Sequence, residues 1–65
     1  MDITVDKQAD AMYLKFNDKK IIRTDAVADT IMTDFAEDGT VVGVEIIHLS
    51  SFVNDIASVN ILHIG

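Results

Sequence analysis

The chain contains no cysteine, no proline and no tryptophan, only three glycines, and no basic residue after position 23. Without cysteine there is no disulfide scaffold, no thiolate metal site and no sulfur nucleophile. Without proline there is no cis-proline switch. Glycines at positions 39, 43 and 65 alone cannot form a glycine-rich loop around a phosphate. The apolar runs stop well short of the roughly 18 residues that span a bilayer, so no membrane is expected as a partner. Met1–Asp6 has neither the basic start nor the apolar run of a secretory signal, and the chain reads as cytosolic.

What is present is 65 residues, nearly half of them hydrophobic, with no repeat, linker or low-complexity tract: a single domain, 1–65. A chain of this size buries only about 60% of the surface its unfolded form exposes. With no disulfide or evident metal to help, association with another copy is the remaining stabiliser, and a homo-oligomer is expected. Charge is unevenly spread. All five basic residues (Lys7, Lys15, Lys19, Lys20, Arg23) fall in the first 23 positions, which carry +1, while positions 24–65 carry −7, for −6 in total. Such an acidic surface repels phosphates and disfavours nucleic acid. Lys15, Lys19, Lys20 and Arg23 would make a basic tip, better explained as a solvated hairpin end.

The dominant period is two. Ile3 and Val5 alternate with Asp2, Thr4 and Asp6, and Met12, Leu14 and Phe16 alternate with Tyr13 and Lys15. Both read as half-buried strands. The polar turn Asp6–Asp10 separates them, and Asn17–Lys20 turns into a further strand at Ile21–Thr24 whose facing stays open. Ile31, Thr33 and Phe35 alternate with Met32 and Asp34, and Val42, Val44 and Ile46 with Val41, Gly43 and Glu45. Between them a four-residue loop, Ala36–Gly39, fits a type I turn with Gly39 at positive φ. That loop predicts Phe35 opposite Thr40 and Thr33 opposite Val42, so the two apolar sets share a face. After Leu49 the spacing becomes helical (Phe52, Val53, Ile56, Ala57), predicting a short helix from about Ser51 to Ser58, N-capped by serine, over the sheet. The tail Val59–Ile64 either prolongs the helix or adds as a strand. The expected fold class is α+β: a small antiparallel β-meander of four to five strands followed by a short C-terminal helix packed on one face.

Ile3-Thr4-Val5-Asp6, Ala9–Phe16, Arg23-Thr24 and Asp34–Ile46 together resemble the domain-of-unknown-function 2283 family of short bacterial and archaeal proteins. The resemblance covers about positions 2–49 and rests on an ADALY-like strand combined with a DEDGxVVGxEI-like hairpin. Lys19 stands where the family usually turns on glycine, Ala36 where it often has aspartate, and the tail after Leu49 has no matching pattern. The resemblance implies a small antiparallel sheet followed by a helix, with no established activity, cofactor or catalytic residue. Members sometimes lie beside toxin-like genes, which implies an antitoxin or partner-binding role.

The sharpest chemical motif is a calcium-loop look-alike, with Asp34, Asp38, Gly39 and Glu45 at loop positions 1, 5, 6 and 12. Ala36 has lost the third ligand. In the expected hairpin Glu45 lies opposite Thr30, about 13 Å along the strand from Asp34, and cannot share an ion with it. His48 and His63 have no carboxylate at a coordinating spacing, and helix capping explains Ser50 and Ser51 better than nucleophilic chemistry. Asp10 closes a turn. Gly43, inside a strand, calls for a bend or for an aromatic such as Tyr13 or Phe52 lying over it.

Both faces of the last strand carry apolar groups, Val42, Val44 and Ile46 on one and Val41 and Ile47 on the other, and one short helix covers only one face. The second face or the tail is therefore expected to meet a partner. The candidate partner-binding residues are Tyr13, Asp34, Val41, Glu45, Ile47, Ile61 and Ile64, with Tyr13, Asp34 and Glu45 able to share a face suited to a basic segment. The leading expectation is a non-enzymatic binding or assembly module acting as a homo-oligomer, with no cofactor and no metal. The alternative is an antitoxin-like acidic regulator that neutralises a basic partner protein. A third reading, a small enzyme or ligand sensor built on Tyr13, Asp34 and Glu45, requires a concave polar pocket.

Overall fold

A computed structural model describes residues 1–53. Five strands, β1 (Asp2–Asp6), β2 (Ala11–Lys15), β3 (Arg23–Ala28), β4 (Ile31–Phe35) and β5 (Val41–Ile47), form one sheet in the order β1-β2-β5-β4-β3, followed by a 3₁₀ turn at Leu49–Ser51. Every pairing is antiparallel. The α+β meander with a C-terminal helix is therefore corrected to an antiparallel sheet, with no α-helix among the described residues. Around Ser51, where that helix was expected to begin, Leu49–Ser51 form a 3₁₀ turn and both serines act as donors to groups earlier in the chain. Ser50 N–H and Oγ both donate to the Asp10 carboxylate, and Ser51 Oγ donates back to the His48 carbonyl. The rest of the expected helix and the tail, with Ile61, His63 and Ile64, lie outside the described residues.

The sheet is not a meander either. Residues 16–22 leave β2 and cross the sheet end to the far edge, and β5 returns to fill the place between β2 and β4. Composition accounts for this order. β5, VVGVEII, is the longest and most apolar strand and takes the centre, whereas β3, RTDAVA, can leave one side of its backbone in water. The crossing is pinned on the way: Phe16 N–H donates to the Val42 carbonyl, the Asn17 amide to the Val41 carbonyl at 3.0 Å, and Ile22 N–H to the Phe35 carbonyl.

The β4–β5 register differs from the expected one by two residues. Thr33 lies opposite Val44 and Ile31 opposite Ile46. Two features combine here. Ala36 N–H bonds to the Thr40 carbonyl, and Gly39 N–H to the Ala36 carbonyl with Gly39 at φ 84°, so three residues lie between the first paired positions. That alone would exchange the faces. A bulge then skips Val42, since Asp34 pairs with Gly43 and Phe35 with Val41, and the even parity returns. Glu45 consequently sits opposite Met32, two residues from Asp34 along β4, not opposite Thr30.

Parity places Ile3, Val5, Met12, Leu14, Ile31, Thr33, Val44 and Ile46 on one face, with Arg23 and Asp25 at its β3 end. Tyr13, Glu45, Met32, Asp34, Gly43, Ile47 and Thr24 share the other. The buried hydrophobic side chains among the described residues are few: Ala36, Val42 and Leu49.

Candidate functional site

The candidate residues meet on the second face. Tyr13 stands across from Glu45, and its ring leans over Gly43 of β5, where no side chain stands in the way, to reach β4. There the phenol donates to Asp34 Oδ2 at 2.7 Å, and Thr24 Oγ1 on β3 donates to Asp34 Oδ1. The result is a polar brace running from β2 over β5 to β4 and β3. A Cβ on Gly43 would collide with the Tyr13 hydroxyl and lie 2.8 Å from the Leu14 carbonyl oxygen. The expected aromatic cover over Gly43 is thus Tyr13, while Phe52 is exposed.

The environment of Tyr13 holds its proton. Burial first, then the hydrogen bond to Asp34 and the negative charges of Asp34 and Glu45, push its pKa up to about 12. A phenol so placed is a poor base at neutral pH, and both oxygens of Asp34 already accept hydroxyl protons. Ile47 is half-buried across from Ala11, and Val41 lies at the bulge with its carbonyl bound to Asn17. Tyr13, Asp34, Glu45 and Ile47 thus share one face, while the bulge pairs Val41 with Phe35 and sets it on the other, not beside Ile47 as expected. The role of Thr24 was not legible, because it follows from the β3–β4 register that the sequence pattern left open.

The basic tip is largely neutralised. Lys15 pairs with Asp18 at 2.7 Å, Lys19 with Asp38 at 2.7 Å, and Arg23 with Asp25 at 3.1 Å. Lys19 Nζ also donates to Thr40 Oγ1 and so ties the crossing segment to the β4–β5 loop. The Lys19 ammonium, with the Thr40 hydroxyl and N–H, holds the Asp38 carboxyl well below the usual carboxylate range. The residues of the calcium-loop spacing are thus engaged elsewhere, Asp34 with two hydroxyls and Asp38 with Lys19 and Thr40. Among the described residues no three histidine or carboxylate side chains converge. An open cleft of about 590 Å³ lies at the tip, lined by Lys19, Lys20, Ile22, Ala36, Glu37 and Asp38, and a smaller one by Met1, Asp2 and residues 15–18. Neither includes Tyr13, Asp34 or Glu45.

A second constellation joins the β1–β2 turn to the 3₁₀ turn after β5. Asp10, at φ 54°, accepts Leu49 N–H at its carbonyl and Ser50 N–H and Oγ at its carboxylate, at 2.8, 2.9 and 2.7 Å. His48 takes the facing left-handed conformation at φ 52°. Asp10 closes its turn as expected and in addition anchors the 3₁₀ turn beyond β5.

The family model described as "Protein of unknown function (DUF2283)" matches residues 2–50, ending at the serine that Asp10 holds. The chain belongs to that family. The match takes in all five strands and the Asp10–Ser50 junction, so the fold described above is the DUF2283 unit of this chain. No curated protein and no solved structure matches the chain. Among the described residues no helix is long and apolar enough to cross a membrane.

Proposed function

We propose that the protein is a non-enzymatic assembly module that acts as a homo-oligomer, the apolar sheet face of one copy lying on that of another. One observation carries this reading. Ile3, Val5, Met12, Leu14, Ile31, Val44 and Ile46 share one face with the buried Thr33, each of the seven stays partly exposed, and no described strand lies over them. Stable domains need at least two packed layers, and the described residues supply one. The reading places on the first face, where apolar side chains of four strands gather, the contact that the sequence pattern put on the second.

The test is mass in solution. Wild-type chain is expected to sediment as a dimer or larger at micromolar concentration. Ile3→Glu, near the rim of the face where a charge disturbs folding least, lowers that mass, whereas Thr4→Glu on the opposite face does not. A wild-type monomer at high micromolar concentration would overturn the reading.

A further inference from the structure

Strand β3 is the outermost strand of the sheet, and all six of its residues are exposed. Three of the exposed large apolar side chains, Ile21, Ile22 and Val27, lie on or beside it. The opposite edge strand, β1, carries aspartates at both ends, a pattern that discourages pairing. We propose that β3 pairs with β3 of a second copy, antiparallel about a two-fold axis at Thr24, joining two five-stranded sheets through their edges. This contact is separate from the face-to-face contact proposed above and uses different residues.

Charge fixes the register. A two-fold axis through such an edge keeps the faces continuous, so paired residues share a facing and the pairing centres on one residue. A centre at Arg23 sets two guanidinium groups opposite each other, and a centre at Asp25 sets two carboxylates together. Like charges directly opposite are destabilising. A centre at Ala26 sets Asp25 against Val27 and runs the bulge between Ala26 and Ala28 of both copies into the pairing. A centre at Thr24 avoids all three conflicts. It brings Arg23 opposite Asp25 of the second copy, twice, and Ile22 opposite Ala26, with Ile21 approaching Val27. Arg23 and Asp25 already lie on one face as an ion pair at 3.1 Å, and Arg23 is seated 4.5 Å above the Phe35 ring. Exchanging that pair between copies keeps the charge balance and the stacking. The edge is self-complementary in both charge and apolar pattern at this register.

The chain has no native cysteine, so a single introduced thiol reports the register directly. In the full-length Thr24→Cys protein the two thiols face each other within the Cα separation of about 4.4–6.8 Å that a disulfide requires, and mild oxidation yields a covalent dimer. In Ala26→Cys the thiols stand four residues apart, about 13 Å, and cross-link at least tenfold more slowly. Adding Asp25→Arg to Thr24→Cys sets like charges opposite at two positions and slows cross-linking at least tenfold, and adding Arg23→Asp as well restores it. Ile3→Glu, which removes the face contact, leaves it unchanged, so the two contacts fail separately. Circular dichroism confirms that each variant keeps its sheet. If Thr24→Cys loses its sheet, the cysteine-free chain supplies the second measurement. There Asp25→Arg lowers the solution mass, and Arg23→Asp with Asp25→Arg returns it. Equal cross-linking rates at positions 24 and 26, or a rate or mass indifferent to Asp25→Arg, would overturn the proposal.

Discussion

At Gly43 the central strand has no side chain, and Tyr13 uses that gap to bond Asp34 two strands away. The pair makes a prediction in which each residue reports on the other. Tyr13 is the only tyrosine, so the near-ultraviolet absorbance of the phenolate follows it alone. Its pKa of about 12 in the folded chain lies above the ordinary 10.0. The folded state therefore keeps a proton that the unfolded state loses. The resulting stability is fully present below pH 10 and disappears as the pH rises through 12. Gly43→Ala is expected to push the ring aside, bring the phenol pKa back toward 10 and cost about 1–3 kcal/mol in urea unfolding, as overpacking usually does. Adding Tyr13→Ala recovers only part of that loss, because the Leu14 carbonyl oxygen remains 2.8 Å from the new methyl. An unchanged phenol pKa in Gly43→Ala would show that the ring does not depend on the gap. This part of the site was legible because a glycine within an alternating strand demands a reason, and the chain offers few aromatics. Asp34's second donor was not legible, because only the pairing of β3 with β4 brings Thr24 beside it.

Alternation located four of the strands, since a period of two survives whatever the neighbours are, whereas the third was expected at Ile21–Thr24 with its facing open and runs instead over Arg23–Ala28. Their register was harder, because it depends on residues that carry no periodic signal. Gly39 was correctly placed at positive φ, yet the loop closes one residue tighter than expected and the Val42 bulge compensates. Beyond the bulge the faces came out as expected because the two departures add to an even number, while Val41, expected beside Ile47, pairs with Phe35 on the opposite face. The end of the described chain is likewise set from a distance. Leu49–Ser51 form a 3₁₀ turn held by Asp10, 40 residues earlier than Ser50, a partner that no local pattern announces. Asp10 contributes twice, through its carboxylate bonds and through the tolerance of aspartate for the left-handed region, which costs most side chains about 1–2 kcal/mol. Asp10→Ala is expected to lose about 2 kcal/mol of stability and Asp10→Asn about half as much, because asparagine keeps both the backbone tolerance and an acceptor for Ser50 N–H. Urea unfolding gives the order, and an alanine variant as stable as the asparagine one would assign the junction no role.

At the scale of the whole molecule, the sequence pattern pointed to more apolar sheet surface than one short helix can cover, with the second face or the tail to meet a partner. The strand order β1-β2-β5-β4-β3 gathers apolar residues from four strands on the first face, over which no described strand lies. Pairing order is a contest among strands, won here by the longest and most apolar, and a chain read in sequence order misses it. The consequence is thermodynamic as well as geometric. If the second layer is another copy, unfolding and dissociation are one event and the melting temperature must rise with protein concentration. A tenfold increase in concentration adds about 1.4 kcal/mol per dimer. For two chains of this length the unfolding entropy is about 0.27 kcal/mol per kelvin, so the midpoint should climb by about 5 °C per decade. Ile3→Glu should lower the midpoint at every concentration and flatten that slope, while Thr4→Glu on the braced face leaves it in place. A midpoint that stays constant over a hundredfold range of concentration would mean that the apolar face gains no cover from association, and the assembly reading would fall with it.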